Sequence, residues 1–225
     1  MTMAHYQVIF FSASIFAAAI PGALKFNKID SSFFPFIFCV WLAALNETIS
    51  FIITLNKGNT ALNNNIYVLC EALLFTWQFK NWGLFNDRPS SYKALITLFI
   101  ATWALENLFT ISPFNIKYYF RIIYSMALVF MSIHQVNKLI LDCRAPLLKE
   151  PIFLICAGII IYFTYKILVE SFWLYGLSAA KSFRNNVYLV STWINLFVNL
   201  IFSISVLCIP LKKRSIIHLS LPEPS

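Results

Sequence analysis

An all-α fold, a polytopic integral membrane protein of about seven transmembrane helices in one bundle, is what this sequence predicts, on three observations. The 225 residues are 60% hydrophobic and only 12% charged, about half the charge of a soluble domain. Apolar stretches of about 20 residues recur along nearly the whole chain, each long enough to cross about 30 Å of hydrocarbon at about 1.5 Å per residue. Short connections carrying Gly, Pro, Asn and Asp separate them, so consecutive helices run antiparallel.

The first span, 6–24, has no positive residue before it and so lacks the charged start of a signal peptide; it reads as a retained helix. The second, 33–55, and the fourth, 92–111, each carry an adjacent Asn and Glu after a Trp, at Asn46-Glu47 and Glu106-Asn107. The third, 65–82, and the seventh, 187–209, open on similar runs, Asn64 to Leu69 and Asn185 to Val190. The likeness continues through Tyr67, Glu71, Leu74 and Gln78 against Tyr188, Thr192, Asn195 and Asn199. Steps of four, three and four place each set on one helical face. The fifth span, 116–139, starts near Arg121, and the sixth, 151–173, contains Lys166 and Glu170.

The spans fill 1–211 as one transmembrane domain, and 212–225 is a short basic tail, too small for a catalytic or signalling domain. A net charge of +8 would suggest nucleic acid in a soluble protein. Here the positive residues lie between spans and act as topology signals. With the N-terminus outside, eleven of the 17 Lys and Arg fall on the cytoplasmic side and five on the other, Lys166 being the remaining one. The run Lys212-Lys213-Arg214 after the last span agrees with that orientation, N-out and C-in. The bacterial inner (plasma) membrane is the expected location, with the lipid bilayer as the principal partner and no nucleic acid.

Glutamate inside such helices is the functional clue. A charged side chain at bilayer depth costs about 2.5 to 3.5 kcal/mol on insertion scales, so it faces the interior or a wet cavity. Under N-out topology Glu47, Glu71, Glu106 and Glu170 all fall in the outer half, at the depth of Arg121 and Lys166. Four carboxylates against two cations favour a cation, a proton or an amine-bearing small molecule. The bland alternative is a set of buried ion pairs, Lys166 with Glu170 or Arg121 with Glu71 or Glu106, that holds the helices together. The expected ligand-binding set is Glu47, Glu71, Glu106, Glu170, Tyr67, Gln78, Arg121, Tyr162, Lys166, Tyr188, Asn195 and Asn199. Tyr67 and Tyr162 enter because they share a face with a glutamate and offer rings to a cation.

No catalytic residue, metal site or cofactor is expected. Three scattered histidines give no metal-ligand spacing, and no nucleophile elbow, phosphate loop or dinucleotide fingerprint occurs. The five cysteines form no C-x-x-C pair and read as small apolar fillers. The functions that remain are a small-molecule sensor or receptor-like protein acting through a separate cytoplasmic partner, and a proton- or cation-coupled secondary transporter. A pore-forming subunit, built as a homo-oligomer, is a third, and a lipid hydrolase using carboxylates a weaker fourth. Few Gly or Pro residues interrupt the spans, which favours the first over the second.

Overall fold

A computed structural model describes residues 11, 13–108, 117–142, 146–175 and 181–212, without the side chains of 142, 181, 182, 184, 185 and 188. Seven α-helices organise these residues: α1 Phe16–Lys25, α2 Phe34–Leu55, α3 Ala61–Asn81, α4 Pro89–Leu108, α5 Tyr119–Asp142, α6 Pro151–Leu174 and α7 Lys181–Cys208. The described part is all-α, with no strand beyond one isolated β-bridge, Ile29 to Leu211.

Among the described residues, three segments are long and apolar enough to cross a membrane, Ser31–Leu55, Pro151–Leu174 and Leu189–Cys208. Polar residues dilute the other helices: α3 carries Asn63, Asn64, Asn65, Glu71, Gln78 and Lys80, and α5 carries Arg121, His134, Gln135, Asn137 and Lys138. Large apolar side chains are exposed on every helix, among them Leu24, Ile52, Ile66, Leu105, Phe130, Leu168 and Leu207. Such a surface fits hydrocarbon and not water.

Local chemistry sets the helix ends. Asp30 accepts a hydrogen bond from the Ser32 N–H at 2.8 Å, and the single turn Ser31–Phe33 feeds α2, where Pro35 sits in the first turn and gives up no needed donor. At the other end of α2, Lys57 adopts the left-handed region with φ 56° while the Gly58 N–H returns to the Ile53 carbonyl at 2.8 Å. Asn59 then accepts from the Ala61 N–H at 2.8 Å and starts α3. This is why α3 begins at Ala61 and not at 65. Two other helices also begin earlier than expected, α4 at Pro89 and α7 at Lys181, and α5 runs on to Asp142. Part of the expected first span (6–10 and 12) and the end of the fourth (109–111) lie outside the described residues.

Hydroxyls are hidden by bonding back to their own helix: Thr48, Thr54, Thr76, Thr102 and Ser203 each donate to the carbonyl four residues earlier. Each helix packs on the next in sequence, α7 returns to α1, and α3 also meets α5. The chain ends of this ring are laced together. The Asp30 N–H donates to the Pro210 carbonyl at 3.2 Å, the Lys212 N–H to the Lys28 carbonyl at 2.7 Å, and Lys25 Nζ to the Leu207 carbonyl at 3.1 Å. Aromatic rings fill much of the core, as where Phe75 meets Phe163 and Phe36 meets Phe202 edge-on.

Candidate functional site

Antiparallel succession brings the second halves of α2 and α6 to the same end as the first halves of α3, α5 and α7. The polar residues of all five gather there. Glu71 of α3 is buried and accepts from three sides. Tyr67, one turn earlier on the same helix, donates its hydroxyl to Oε1 at 2.6 Å. Tyr124 of α5 donates to Oε2 at 2.7 Å, and Lys166 of α6 places Nζ 3.3 Å from the same oxygen. Lys166 also donates to the Tyr124 hydroxyl. Its ammonium lies 5.1 to 5.3 Å from the ring centroids of Tyr124, Tyr162 and Phe163, an aromatic enclosure that replaces part of its hydration.

A second pair adjoins the first. Arg121 Nη1 stands 3.4 Å from Glu170 Oε1, and its Nη2 contacts Asn65 Oδ1 at 3.5 Å. The ion pairs therefore cross between helices: Lys166 with Glu71 and Arg121 with Glu170. Neither the same-helix pair Lys166–Glu170 nor Arg121 with Glu71 or Glu106 is the arrangement adopted.

These groups border a cavity of about 290 Å³. Its walls include three carboxylates (Glu47, Glu71, Glu170), two cations (Arg121, Lys166), the amides of Asn46, Asn64, Asn195 and Asn199, and the rings of Tyr67, Tyr162 and Tyr165. On its α7 side Asn199 donates to the Ser14 hydroxyl at 2.8 Å. The volume sits at the small end of ligand pockets, about 300 to 1,000 Å³. It suits a molecule of a few non-hydrogen atoms up to the size of an amino acid.

Nine of the twelve residues expected from the sequence line this one cavity: Glu47, Glu71, Glu170, Arg121, Lys166, Tyr67, Tyr162, Asn195 and Asn199. Gln78 and Glu106 lie elsewhere, and both serve the backbone. Gln78 is fully buried at the far end of α3, where Oε1 accepts from the Phe36 N–H at 2.7 Å and Nε2 donates to the Ser32 carbonyl at 2.6 Å. Glu106 accepts from the Tyr119 N–H at 3.1 Å and the Phe120 N–H at 2.8 Å, which caps α5. Tyr188 belongs to α7, but its side chain is outside the described part.

Sequence reasoning left Tyr124, Asn65, Asn46 and Ser14 out of the site. Tyr124 follows Arg121 by three residues and so shares its helical face, a signal that was present in the spacing. Ser14 had no such signal. No protein-family profile, curated protein or solved structure matches the chain.

Proposed function

We propose that the chain is an integral protein of the bacterial inner (plasma) membrane, with seven spans in one bundle, N-out and C-in. Its outward cavity binds a small cationic or amine-bearing molecule and signals through a separate cytoplasmic partner. The observation that carries this reading is the convergence, among the described residues, of Glu47, Glu71 and Glu170 with Arg121 and Lys166 on one cavity. Three carboxylates and two cations on one lining make the cavity formally acidic, which a ligand cation complements. Tyrosine rings and four amides supply the remaining contacts.

Purified protein in nanodiscs, challenged with a panel of primary and quaternary amines and of carboxylates, provides the test. The expected result is thermal stabilisation by amines, without transport, that Glu47→Gln weakens at least about tenfold. Stabilisation by carboxylates alone overturns the reading.

A secondary transporter is the second reading. The crossing of Lys166–Glu71 and Arg121–Glu170 between α3, α5 and α6 favours it, because exchange of partners between two ion pairs would couple two states. Uptake of an amine into proteoliposomes, abolished by Glu71→Gln, would place it first.

A further inference from the structure

Beyond the cavity, α5 carries a second polar feature that ligand binding does not use. Ser125 and Ser132 are fully buried, Gln135 is 5% exposed, and Ser125 Oγ, Ser132 Oγ and Gln135 Oε1 have no hydrogen-bond partner. The Cys156 thiol of α6 approaches Ser132, but a thiol is a weak partner. Arg121 Nε, at the head of the same helix, is buried and unpartnered too. A buried polar atom left in this state is costly, and a native protein that keeps several together serves them with water.

Their placement is ordered. Arg121, Ser125, Ser132 and Gln135 fall within an arc of about 80° on α5 at about 100° per residue, and the row is about 21 Å long at about 1.5 Å per residue. The head of the row touches the cavity cluster through Arg121, which holds Glu170, and through Tyr124, which holds Glu71 and Lys166. Its foot, Gln135, lies in the last third of α5, toward the other end of the helices. One residue interrupts it: Leu128, fully buried, occupies the same arc between Ser125 and Ser132.

We propose that this face of α5 is a water-served proton path, leading from the Glu71–Tyr124–Lys166 cluster toward the opposite membrane face and closed at rest by Leu128. Hydroxyl and amide groups both donate and accept, so they relay protons between waters, and a leucine constriction stops the file by excluding water. The path rests on the membrane-spanning reading, but not on the identity of the ligand.

Two experiments on the full-length protein test it. In wild-type protein, hydroxyl radicals generated by X-ray pulses should, after correction for intrinsic side-chain reactivity, oxidise Tyr124 (0% exposed) and Met131 (8%), which flank the orphaned groups, faster than Phe36 and Phe99 (both 0%). Equal protection of all four overturns the path. In liposomes with an internal pH dye and an imposed potential, Leu128→Ser should raise proton entry at least about tenfold over wild type, and Ser132→Ala added to it should remove most of the gain. A folded Leu128→Ser protein, or the milder Leu128→Ala, that stays as tight as wild type overturns the gate. So does a leak that Ser132→Ala leaves unchanged. Flotation of the liposomes after alkaline extraction reports the membrane reading separately: protein lost from the lipid fraction overturns that reading and the path with it, whereas retained protein without flux overturns the path alone.

Discussion

Lys166 on α6 reaches the Glu71 carboxylate on α3 across 3.3 Å, with the Tyr124 hydroxyl bonded to both. A buried ion pair with two further tyrosine donors is easily broken from one side. Glu71→Gln leaves the ammonium without its anion and should cost about 3 to 5 kcal/mol. Lys166→Met should cost less, because Tyr67 and Tyr124 still hold the carboxylate. The double variant should fall short of the sum by about 0.5 to 3 kcal/mol, measured as a cycle in reversible detergent unfolding.

Gln78 ties the end of α3 to the start of α2 through the Phe36 N–H and the Ser32 carbonyl. Gln78→Leu matches its bulk but strands both backbone groups, so a loss of about 1 to 3 kcal/mol is expected for each that stays dry. Ligand affinity should hold in the surviving folded fraction. A Tm series with and without ligand separates the two effects.

Glu106 caps α5. Removing its two acceptor oxygens by Glu106→Ala should cost about 0.5 to 2 kcal/mol, and Glu106→Gln, which keeps one, should lie between. Amide hydrogen exchange at Tyr119 and Phe120 should rise in the same order.

Gly158 lies under the Phe202 ring. A methyl group there would stand 2.5 Å from Phe202 Cε1, and the ring is backed by Phe36. Gly158→Ala should therefore destabilise by about 1 to 3 kcal/mol. Pairing it with Phe202→Leu should recover part of the loss, and a Tm comparison of the three proteins decides.

Asp30 gives a pH dependence. The Ser32 backbone N–H, then the Ser32 hydroxyl and the nearby Lys212, hold its carboxyl below the usual range. A depressed carboxyl contributes stability above its unfolded value of about 3.9 and loses it as pH falls through the lower, folded one. Because Asp30 is largely exposed, the contribution is small. Above about pH 4 wild type should be the more stable in Tm, and the gap to Asp30→Asn should close as pH falls from there through the lower, folded value.

Much of the site was legible because depth is a one-dimensional property. Counting residues from span ends placed Glu47, Glu71, Glu170, Arg121 and Lys166 together, and helix alternation did the rest. Rotation about each axis is different: it depends on which face the neighbours cover. Glu106 satisfied the depth rule and still turned to the start of α5, because free N–H groups there offered it two bonds. Gln78 shared the spacing of Tyr67 and Glu71 but lies about one turn beyond the cavity floor, beside backbone groups in need of partners. Ion-pair choice was equally hidden, since Lys166 and Glu170 are neighbours in sequence while their closer opposites come from α3 and α5. The start of α3 was missed because the polar pair Asn63 and Asn64 reads as loop, although Asn63 bonds Asn46 and Ser50 on α2.

The lacing of the ring has a consequence for biosynthesis. Ser14 and Asn199 are 185 residues apart in the chain, and Lys25 and Leu207 are 182 apart. While the ribosome is still working, α1 has α2 as a neighbour, but its second flank stays uncovered until α7 emerges. Closing so long a loop is entropically slow compared with pairing adjacent helices. A nascent chain stalled before α7 should thus hold α1 in a state that proteases, chaperones or other membrane proteins can still reach. Arrival of α7 is the step that seals it.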